Sequence, residues 1–378
     1  MENRNIIISS IVILGILIIM IVGFSGLNRN NNLEVTVLNT PIKIGVIAPL
    51  TGAAPELGEY ITRGLELANS NLRNNIALVY EDDKCSDLAA AQTIAQKFIN
   101  IDNIKFVIGP LCAGPYQAVA GTFNQSEVSF MHTSAVTPSF IQTSGEYGIP
   151  GLATDIHAEA GFMAEYAFDK LNVKKVGLLM WDQEWAFNHG KGFEDKFTEL
   201  GGKVVFNEKF SITDKDFRTQ ITKLKNSGAD AVYVVGLNFQ NGSIVKQIRT
   251  LDKEIKIFGQ FEIEDPTFLS MAGDGANGVI YVYPKIDLTR KETKDFIANF
   301  EEKFKTEPNF YSFVGFDALK LYDLAISKCG NDTKCVTKNI LSSKNYPGVS
   351  GNITFDENKN IVRDFEIKTI EDRKFVKM

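Results

Sequence analysis

Short runs of apolar residues alternate with amphipathic segments along most of the chain. The runs at 42–48, 76–81 and 106–108 lack the alternation of a half-exposed strand, and segments with helical spacing separate them. Strands that are buried on both faces and that alternate with amphipathic helices are typical of a parallel sheet covered by helices. The pattern therefore predicts an α/β fold.

The same pattern begins again after Pro150. Further strands are predicted at 176–180, 203–208, 231–235, 255–258 and 279–283. A charged helical stretch follows from about residue 285 to 345, and strands return at 352–355 and 364–369. Each series of strands has the size of one domain, so the chain is predicted to form two lobes.

We expect two doubly wound parallel-sheet lobes joined by a hinge of several crossing segments. The first lobe would contain residues 41–155 and 286–345, because the charged helices have no strand directly after them and would return to the first sheet. The second lobe would contain residues 156–285 and 346–378.

The amino terminus carries a long apolar run. Arg4 precedes a stretch from 6 to 24 that contains only apolar and small residues. About 20 apolar residues span a bilayer, whereas the core of a signal peptide has about 7–15. We therefore interpret residues 1–26 as an uncleaved membrane anchor, with a cleaved signal peptide as the alternative, and the asparagine-rich residues 27–40 as a linker. Arg4 lies on the short, amino-terminal side of the apolar run, and positive charges beside a membrane segment favour the cytoplasmic side. The rest of the chain is therefore predicted to lie outside the cytoplasm.

Two strands of the first series end in loops that suit a ligand. The run 106–108 stops at a Gly-Pro pair and leads through a short loop into a helix, and the run 128–131 opens into a Thr/Ser-rich loop, 132–138. Ligands of open parallel sheets bind at the carboxyl ends of the strands, and helix amino termini attract anionic groups. The sequence therefore predicts half of a small-molecule site at this edge. His132 leaves its strand here, either as a site residue or as a structural histidine hydrogen-bonded in the loop.

Four cysteines form two candidate disulfide pairs. Cys85 and Cys112 each follow a strand of the first series and would lie past the same edge of the sheet, close enough to bridge. Cys329 and Cys335 flank a turn sequence and suit a local bridge. Metal binding is the alternative, but neither pair has CxxC spacing or a nearby histidine. We therefore expect disulfides, no metal site and an oxidising compartment.

Composition argues against several classes of function. The chain has 378 residues, a net charge of −6 and no cluster of lysine or arginine, which argues against nucleic acid as a partner. Only 3 histidines are present, and no nucleophile elbow, zinc-protease motif or phosphate loop occurs. We therefore expect a protein that is not an enzyme and that uses no cofactor.

The chain resembles a known protein family in a set of motifs that occur in the family's order. They are IKIGVIAPLTG at 42–52, YEDDKCSD at 80–87, VIGPLCAG at 107–114, TSAVTP at 133–138 and YPGVSGNITFDENKNIV at 346–362. The family is that of the extracytoplasmic solute-binding proteins of branched-chain amino-acid type, which serve ABC importers and have the type I periplasmic-binding fold. The resemblance, from residue 42 to 369, implies that two lobes close over a solute and that the closed form docks on a permease, which works with an ATPase.

The resemblance also implies which residues contact the solute. In the first lobe they are Leu57 and the loop residues Leu111, Cys112, Ala113, Ser134, Ala135 and Val136. In the second lobe they are Trp185, Asn238 and Glu262. Trp185 has a purely structural alternative, as a residue at a helix start that packs against a neighbour.

Two positions depart from the family pattern. Amino-acid binders of this type usually have serine at position 113 and threonine at 136, which contact the charged head group, whereas this chain has Ala113 and Val136. A lost hydrogen bond to a charged group costs about 1.5–3 kcal/mol, unless Ser134 or Thr137 replaces it. We expect an amino acid or a related small polar solute, with an amide, a urea-like solute, a short carboxylate or an aromatic acid as alternatives. A ligand-sensing ectodomain of the same fold is the alternative function.

Overall fold

The computed structural model describes residues 40–378, and its first lobe is built on a 5-stranded parallel sheet. The strands are β1 (Ile42–Ala48), β2 (Ile76–Asp82), β3 (Phe106–Ile108), β4 (Ser129–Met131) and β5 (Gly148–Ile149). Their order is β2-β1-β3-β4-β5, and every neighbouring pair is parallel. The helices are α1 (Pro55–Asn69), α2 (Leu88–Asn100), α3 (Ala113–Gln125) and α4 (Pro138–Ser144). Strand β3 is buried along its whole length, as a continuous apolar run predicts.

The second lobe is built on a 7-stranded sheet. The strands are β6 (Lys175–Trp181), β7 (Lys203–Phe210), β8 (Ala231–Val235), β9 (Lys256–Gly259), β10 (Ile280–Pro284), β14 (Phe365–Glu371) and β15 (Lys374–Lys377). The helices are α5 (Ile156–Asp169), α6 (Glu184–Glu199), α7 (Arg218–Asn226), α8 (Asn238–Leu251) and α9 (Pro266–Ala272), with 3-10 helices at Phe261–Ile263 and Gly273–Ala276. Strands β6 to β10 are parallel, whereas β14 pairs antiparallel with both β10 and β15.

The later helices pack on the first lobe. They are α10 (Lys291–Phe304), α11 (Phe310–Cys329) and α12 (Thr333–Leu341). Helix α11 crosses α1 so closely that a Cβ atom on Gly64 would lie 2.1 Å from the carbonyl oxygen of Ser312. Only glycine permits this approach, which anchors α11 on the first lobe. A disulfide between Cys329 and Cys335 joins the end of α11 to α12.

Residues 346–362 form a separate antiparallel sheet attached to the first lobe. Its strands are β11 (Tyr346–Gly348), β12 (Gly351–Phe355) and β13 (Ile361–Val362). The carboxylate of Asp317 on α11 accepts the N–H groups of Val349 and Ser350 at 2.9 and 2.8 Å. The sequence predicts that the tail crosses to the second lobe at residue 346. In the structure the chain joins the second sheet only at β14, because the preceding segment hydrogen-bonds to α11.

Three chain segments connect the lobes, and a half-buried arginine ties two of them together. The segments are 150–155, 285–290 and 363–364. Nη1 of Arg363 donates to the carbonyl oxygen of Ser350 at 2.7 Å, and Nη2 donates to that of Leu152 at 2.9 Å. The backbone N–H of Lys285 donates to the carbonyl oxygen of Asp364 at 2.9 Å. All three crossing segments are thus connected to one another by hydrogen bonds.

No helix within residues 40–378 is long and apolar enough to cross a membrane. The predicted membrane anchor over residues 1–26 lies outside the described residues, and so does the predicted linker over 27–40 apart from Thr40. Both assignments stay predictions.

Candidate ligand-binding site

A cavity of about 190 Å³ lies in the cleft between the lobes. Many of the residues expected at the site line it: Leu57, Leu111, Cys112, Ala113, Ser134, Trp185 and Glu262. Most of these residues follow strands or stand at the start of helices. They come together because the carboxyl ends of parallel strands meet at one edge of each sheet. The edge predicted from the sequence therefore forms a wall of this cavity.

Three expected site residues lie elsewhere. Asn238 lines a smaller cavity of about 10 Å³, which shares Leu57 with the larger one. Ala135 and Val136 are buried in the core, with 1% and 2% of their surface exposed. The N–H group of Val136 donates to the carbonyl oxygen of Thr154 at 2.6 Å, within the segment that crosses to the second lobe. The hydroxyl group that a threonine at position 136 would carry would therefore lie in the core, and not in the wall of the cavity.

The amino terminus of α3 forms part of the first lobe's wall. Ala113 and Gly114 are its first residues, and both line the cavity. The first N–H groups of a helix have no partner within the helix and carry the positive end of its dipole. A disulfide joins Cys112, which precedes the helix, to Cys85, with their Cα atoms 5.2 Å apart. The disulfide holds this helix end in place at the cleft.

Glu262 brings a carboxylate to the second lobe's side of the cavity. It lies on the 3-10 helix after β9, and 8% of its surface is exposed. Oε1 accepts a hydrogen bond from the hydroxyl of Tyr311 at 3.3 Å, whereas Oε2 is buried and has no partner. Burial raises the pKa of this carboxyl group, because desolvation disfavours its charged form. A cationic group of a ligand would satisfy the free oxygen.

A second buried carboxyl group, that of Glu159 on α5, lies close to Glu262. Its Oε2 accepts from the hydroxyl of Thr154 at 2.8 Å, and its Oε1 accepts from the N–H group of Phe261 at 3.5 Å. Burial raises the pKa of Glu159, and the charge of Glu262 raises it further. The sequence does not mark this residue as part of the site, because no local pattern shows which buried carboxyl group it will meet.

Tyr311, at the start of α11, links the two lobes across the cavity. Its hydroxyl lies 3.3 Å from Oγ of Ser134 in the first lobe and 3.3 Å from Oε1 of Glu262 in the second. Asn309, just before the helix, donates to the carbonyl oxygen of Glu264 at 3.1 Å and adds another link. No motif in the sequence marks Tyr311, and its role follows only from the packing of α11.

Aromatic side chains cover a further part of the wall. Phe140 lines the cavity together with Trp181 and Trp185, the 2 tryptophans of the chain. His132 lines it as well, and its Nδ1 lies 2.7 Å from the carbonyl oxygen of Pro110. Burial lowers the pKa of His132 to about 4, so its ring is neutral at physiological pH. His132 is therefore hydrogen-bonded in its loop and also faces the cleft.

The cavity walls carry acidic groups and no basic ones. Among the described residues, those lining the two cavities include Glu56, Glu184, Glu262 and Asp265 but no lysine or arginine. Within residues 40–378 no group of three or more His, Cys, Asp or Glu side chains is arranged to hold a metal ion. The charge of the site therefore favours a solute with a positive group.

Glu184, on α6 of the second lobe, is hydrogen-bonded to the first lobe at the edge of the cavity. Its Oε2 accepts from Nε2 of Gln117 at 2.9 Å, and its Oε1 accepts from the hydroxyl of Ser139 at 2.7 Å. Beside the smaller cavity, the hydroxyl of Tyr60 donates to Oδ2 of Asp265 at 3.1 Å. Polar contacts at both cavities thus hold the lobes together.

Comparison with known proteins agrees with this architecture. The family model described as "Periplasmic binding protein" matches residues 41–374. The Leu/Ile/Val-binding protein of Escherichia coli strain K12 is 23% identical over 333 residues, which cover 86% of this chain and 89% of that protein.

Solved structures show the same fold. The crystal structure of a leucine-binding protein from Thermotoga maritima matches with a TM-score of 0.83 and 23% identity, and covers 89% of this chain and 97% of that one. A solute-binding protein of an ABC transporter from R. palustris, crystallised with benzoate, matches with a TM-score of 0.80 and 21% identity, over 89% of this chain and 95% of that one. The family match extends over nearly all of the described residues. This chain therefore belongs to the family of periplasmic binding proteins, whose members bind solutes and are not enzymes.

Proposed function

We propose that this protein is the extracytoplasmic solute-binding subunit of an ABC importer, and that its solute is an α-amino acid. The observation that carries the proposal is Oε2 of Glu262, which is buried at the cleft without a partner. A buried carboxylate is costly unless it is paired. The ammonium group of a solute would supply the missing partner.

The neighbours of Glu262 also suit an ammonium group. An ammonium group has three N–H donors and needs several acceptors. The hydroxyl oxygens of Ser134 and Tyr311 have lone pairs, and both residues line the cavity next to Glu262. Together with the carboxylate they can accept all three donors.

The carboxylate of an amino acid would bind at the amino terminus of α3. Ala113 and Gly114 offer backbone N–H groups there, and a helix amino terminus favours an anion. These donors remain available although position 113 is alanine. The missing hydroxyl therefore weakens the head-group contacts without removing them.

An aromatic carboxylate is the second candidate solute. Phe140, Trp181 and Trp185 give the cavity an aromatic wall, and the R. palustris protein with this fold holds benzoate. A solute without an amino group would place its carboxylate near Glu262, which would then have to be protonated. The relatives described as leucine-binding and Leu/Ile/Val-binding support the amino acid instead.

Closure of the lobes over the solute would give the form that docks on the permease. The contacts of Tyr311 with Glu262, and of Gln117 and Ser139 with Glu184, form only when the lobes approach. A solute that binds both walls stabilises this form by its differential affinity. The permease and ATPase remain the proposed partners, with the amino-terminal segment as the proposed membrane tether.

Titration with a panel of solutes tests the proposal. Both tryptophans line the cavity, so their fluorescence reports on binding directly. A solute at 100 times its Kd should also raise the free energy of unfolding by about 2.7 kcal/mol. We expect α-amino acids to bind, and Glu262→Gln to weaken binding roughly tenfold or more. The matched control is Glu301→Gln, the same change on the exposed face of α10.

The panel should include benzoate, urea, acetamide and short organic acids. If no amino acid binds and one of these does, the proposed solute class is wrong. If Glu262→Gln and Glu301→Gln bind amino acids equally well, Glu262 does not contact the ammonium group.

A further inference from the structure

His132 stands at the end of β4, in the wall of the cavity and two residues before Ser134. Its backbone N–H group donates to the carbonyl oxygen of Ile149 at 3.0 Å, which holds the residue to the neighbouring strand. Its ring packs edge-on against Phe140, with centroids 4.9 Å apart, and lies 4.6 Å from the ring of Tyr116. Only 1% of the residue is exposed, so the ring is held in one orientation.

The hydrogen bond to Pro110 fixes the tautomer of this ring. Nδ1 of His132 lies 2.7 Å from the carbonyl oxygen, which can only accept, so Nδ1 carries the proton. The ring is neutral because burial lowers its pKa to about 4. Nε2 is therefore a bare acceptor, and no group within residues 40–378 hydrogen-bonds to it.

The nearby polar groups of the cavity wall are already engaged. Nε2 of Gln117 donates to Glu184, and Ser139 donates to the other oxygen of the same carboxylate. His132 thus adds a free acceptor to a part of the wall that also contains the rings of Phe140 and Trp185. An aliphatic side chain placed against Nε2 would take water from it without replacing the hydrogen bond, which is unfavourable.

We propose that His132 selects solutes whose side chain carries a neutral hydrogen-bond donor, such as a hydroxyl group, over purely aliphatic or unsubstituted aromatic side chains. This inference rests on the proposed function, because it assumes that the amino-acid head group lies at Ser134 and Glu262. Along the chain, Cα atoms two residues apart are separated by at most about 7 Å. A solute of amino-acid size can therefore contact the residues near Ser134 and Nε2 of His132 together. When a site contains a buried polar group that needs a hydrogen-bond partner, it binds a solute that supplies this partner much more tightly than an analogue without it.

Matched pairs of amino acids test this selection in the full-length protein. Threonine and valine differ by a hydroxyl in place of a methyl group, and tyrosine and phenylalanine differ by one hydroxyl group. We expect the donor-bearing member of at least one pair to bind roughly tenfold more tightly, as tryptophan fluorescence or calorimetry would show. The two pairs also tell whether an aliphatic or an aromatic hydroxyl is the preferred donor.

His132→Phe removes the acceptor while keeping an aromatic ring, and should bring the affinity ratio of that pair close to one. His132→Gln keeps an acceptor on its side chain and should restore part of the ratio. The matched control is His157→Gln on α5, which does not line the cavity and should keep the wild-type ratio.

Equal binding of both members of each pair by the wild-type protein would overturn the inference, even if His132→Phe failed to fold. A ratio that persists in His132→Phe would overturn it as well. If the wild-type protein binds no amino acid at all, the proposed function fails too. That result is distinct from binding without donor selection, which leaves the proposed function intact.

Discussion

The hydroxyl of Tyr311 and Oε1 of Glu262 lie 3.3 Å apart, and each lobe contributes one of them. The same hydroxyl lies 3.3 Å from Oγ of Ser134. A solute in the cavity would therefore contact a connected set of polar groups whose members come from both lobes. Opening the cleft must break this set, so solute binding and lobe closure are coupled through it.

Tyr311→Phe should weaken solute binding roughly threefold to tenfold, because it removes one hydroxyl from the head-group contacts and from the link between the lobes. Calorimetric titration would measure the change. Tyr281→Phe is the matched control, since its hydroxyl donates to Glu264 at 2.6 Å away from the cavity. Equal losses of affinity in both variants would show that Tyr311 acts only through general stability.

The contribution of Glu159 and Glu262 to the stability of the solute-free protein should fall as pH rises above 4.5, the ordinary pKa of a glutamate side chain. The pKa values of Glu159 and Glu262 are raised on folding, so the folded protein keeps protons that the unfolded chain has released. The contribution of these two carboxyl groups to the free energy of unfolding is complete below pH 4.5. It is lost as pH rises through their raised pKa values. Each carboxyl group can change the free energy of unfolding by at most about 1.4 kcal/mol per pH unit.

Urea unfolding above about pH 6.5, where histidines no longer gain protons on unfolding, would measure this slope. Glu159→Gln should flatten it, whereas Glu165→Gln on the same helix, whose side chain is 48% exposed, should not. Affinity for an ammonium-bearing solute should increase over the same pH range, because binding requires charged Glu262. Identical slopes in the wild-type protein and Glu159→Gln would contradict the assignment.

Glu184→Ala should speed dissociation of the solute roughly threefold to tenfold, because it removes two hydrogen bonds between the lobes. The association rate should change less, since these bonds form only after the lobes approach. Stopped-flow fluorescence would separate the two rates. Glu199→Ala, at the far end of α6, is the control and should leave both rates as they are. An unchanged dissociation rate in Glu184→Ala would exclude a role in closure.

Arg363→Gln should lower the free energy of unfolding by about 3 kcal/mol, because it removes a half-buried charge that bonds to Ser350 and to Leu152 in a crossing segment and leaves Asp317 without its neighbouring cation. Thermal or urea unfolding would measure the loss. Arg218→Gln is the control, since this arginine is exposed and bonds only to nearby Asp216. If Arg363→Gln and Arg218→Gln lower the free energy of unfolding equally, the connection between the lobes does not depend on the guanidinium group of Arg363.

Replacing Cys85 and Cys112 by serine should cost about 3–4 kcal/mol, and replacing Cys329 and Cys335 about 2 kcal/mol. The reason is that the first pair closes a loop of 27 residues and the second a loop of 6. Unfolding of the two double variants would compare them. The first variant should also bind solute more weakly, because its disulfide holds the amino terminus of α3. A larger loss from the second pair would contradict the loop-closure argument.

Much of the fold could be predicted because strands and helices have local periodic patterns. The runs that became β1, β3 and β6, the edge at which β3 and β4 end, and both cysteine pairs are visible in the sequence. The short helices α4 and α9, of 7 residues each, are not visible in the sequence. They are too short to show a period.

Local sequence determined the two α/β lobes and the cleft edge of the first lobe that holds Ala113 and Ser134. Tertiary structure alone decided how the site is completed, because its remaining groups are distant in the chain. Tyr311 follows Ser134 by 177 residues and reaches it only because α11 packs on the first lobe. The place of Val136 in the core, the late crossing at Arg363 and the free acceptor on His132 likewise depend on contacts with distant segments. Periodicity specifies the elements, whereas hydrogen bonds between distant segments specify which side chains face the solute.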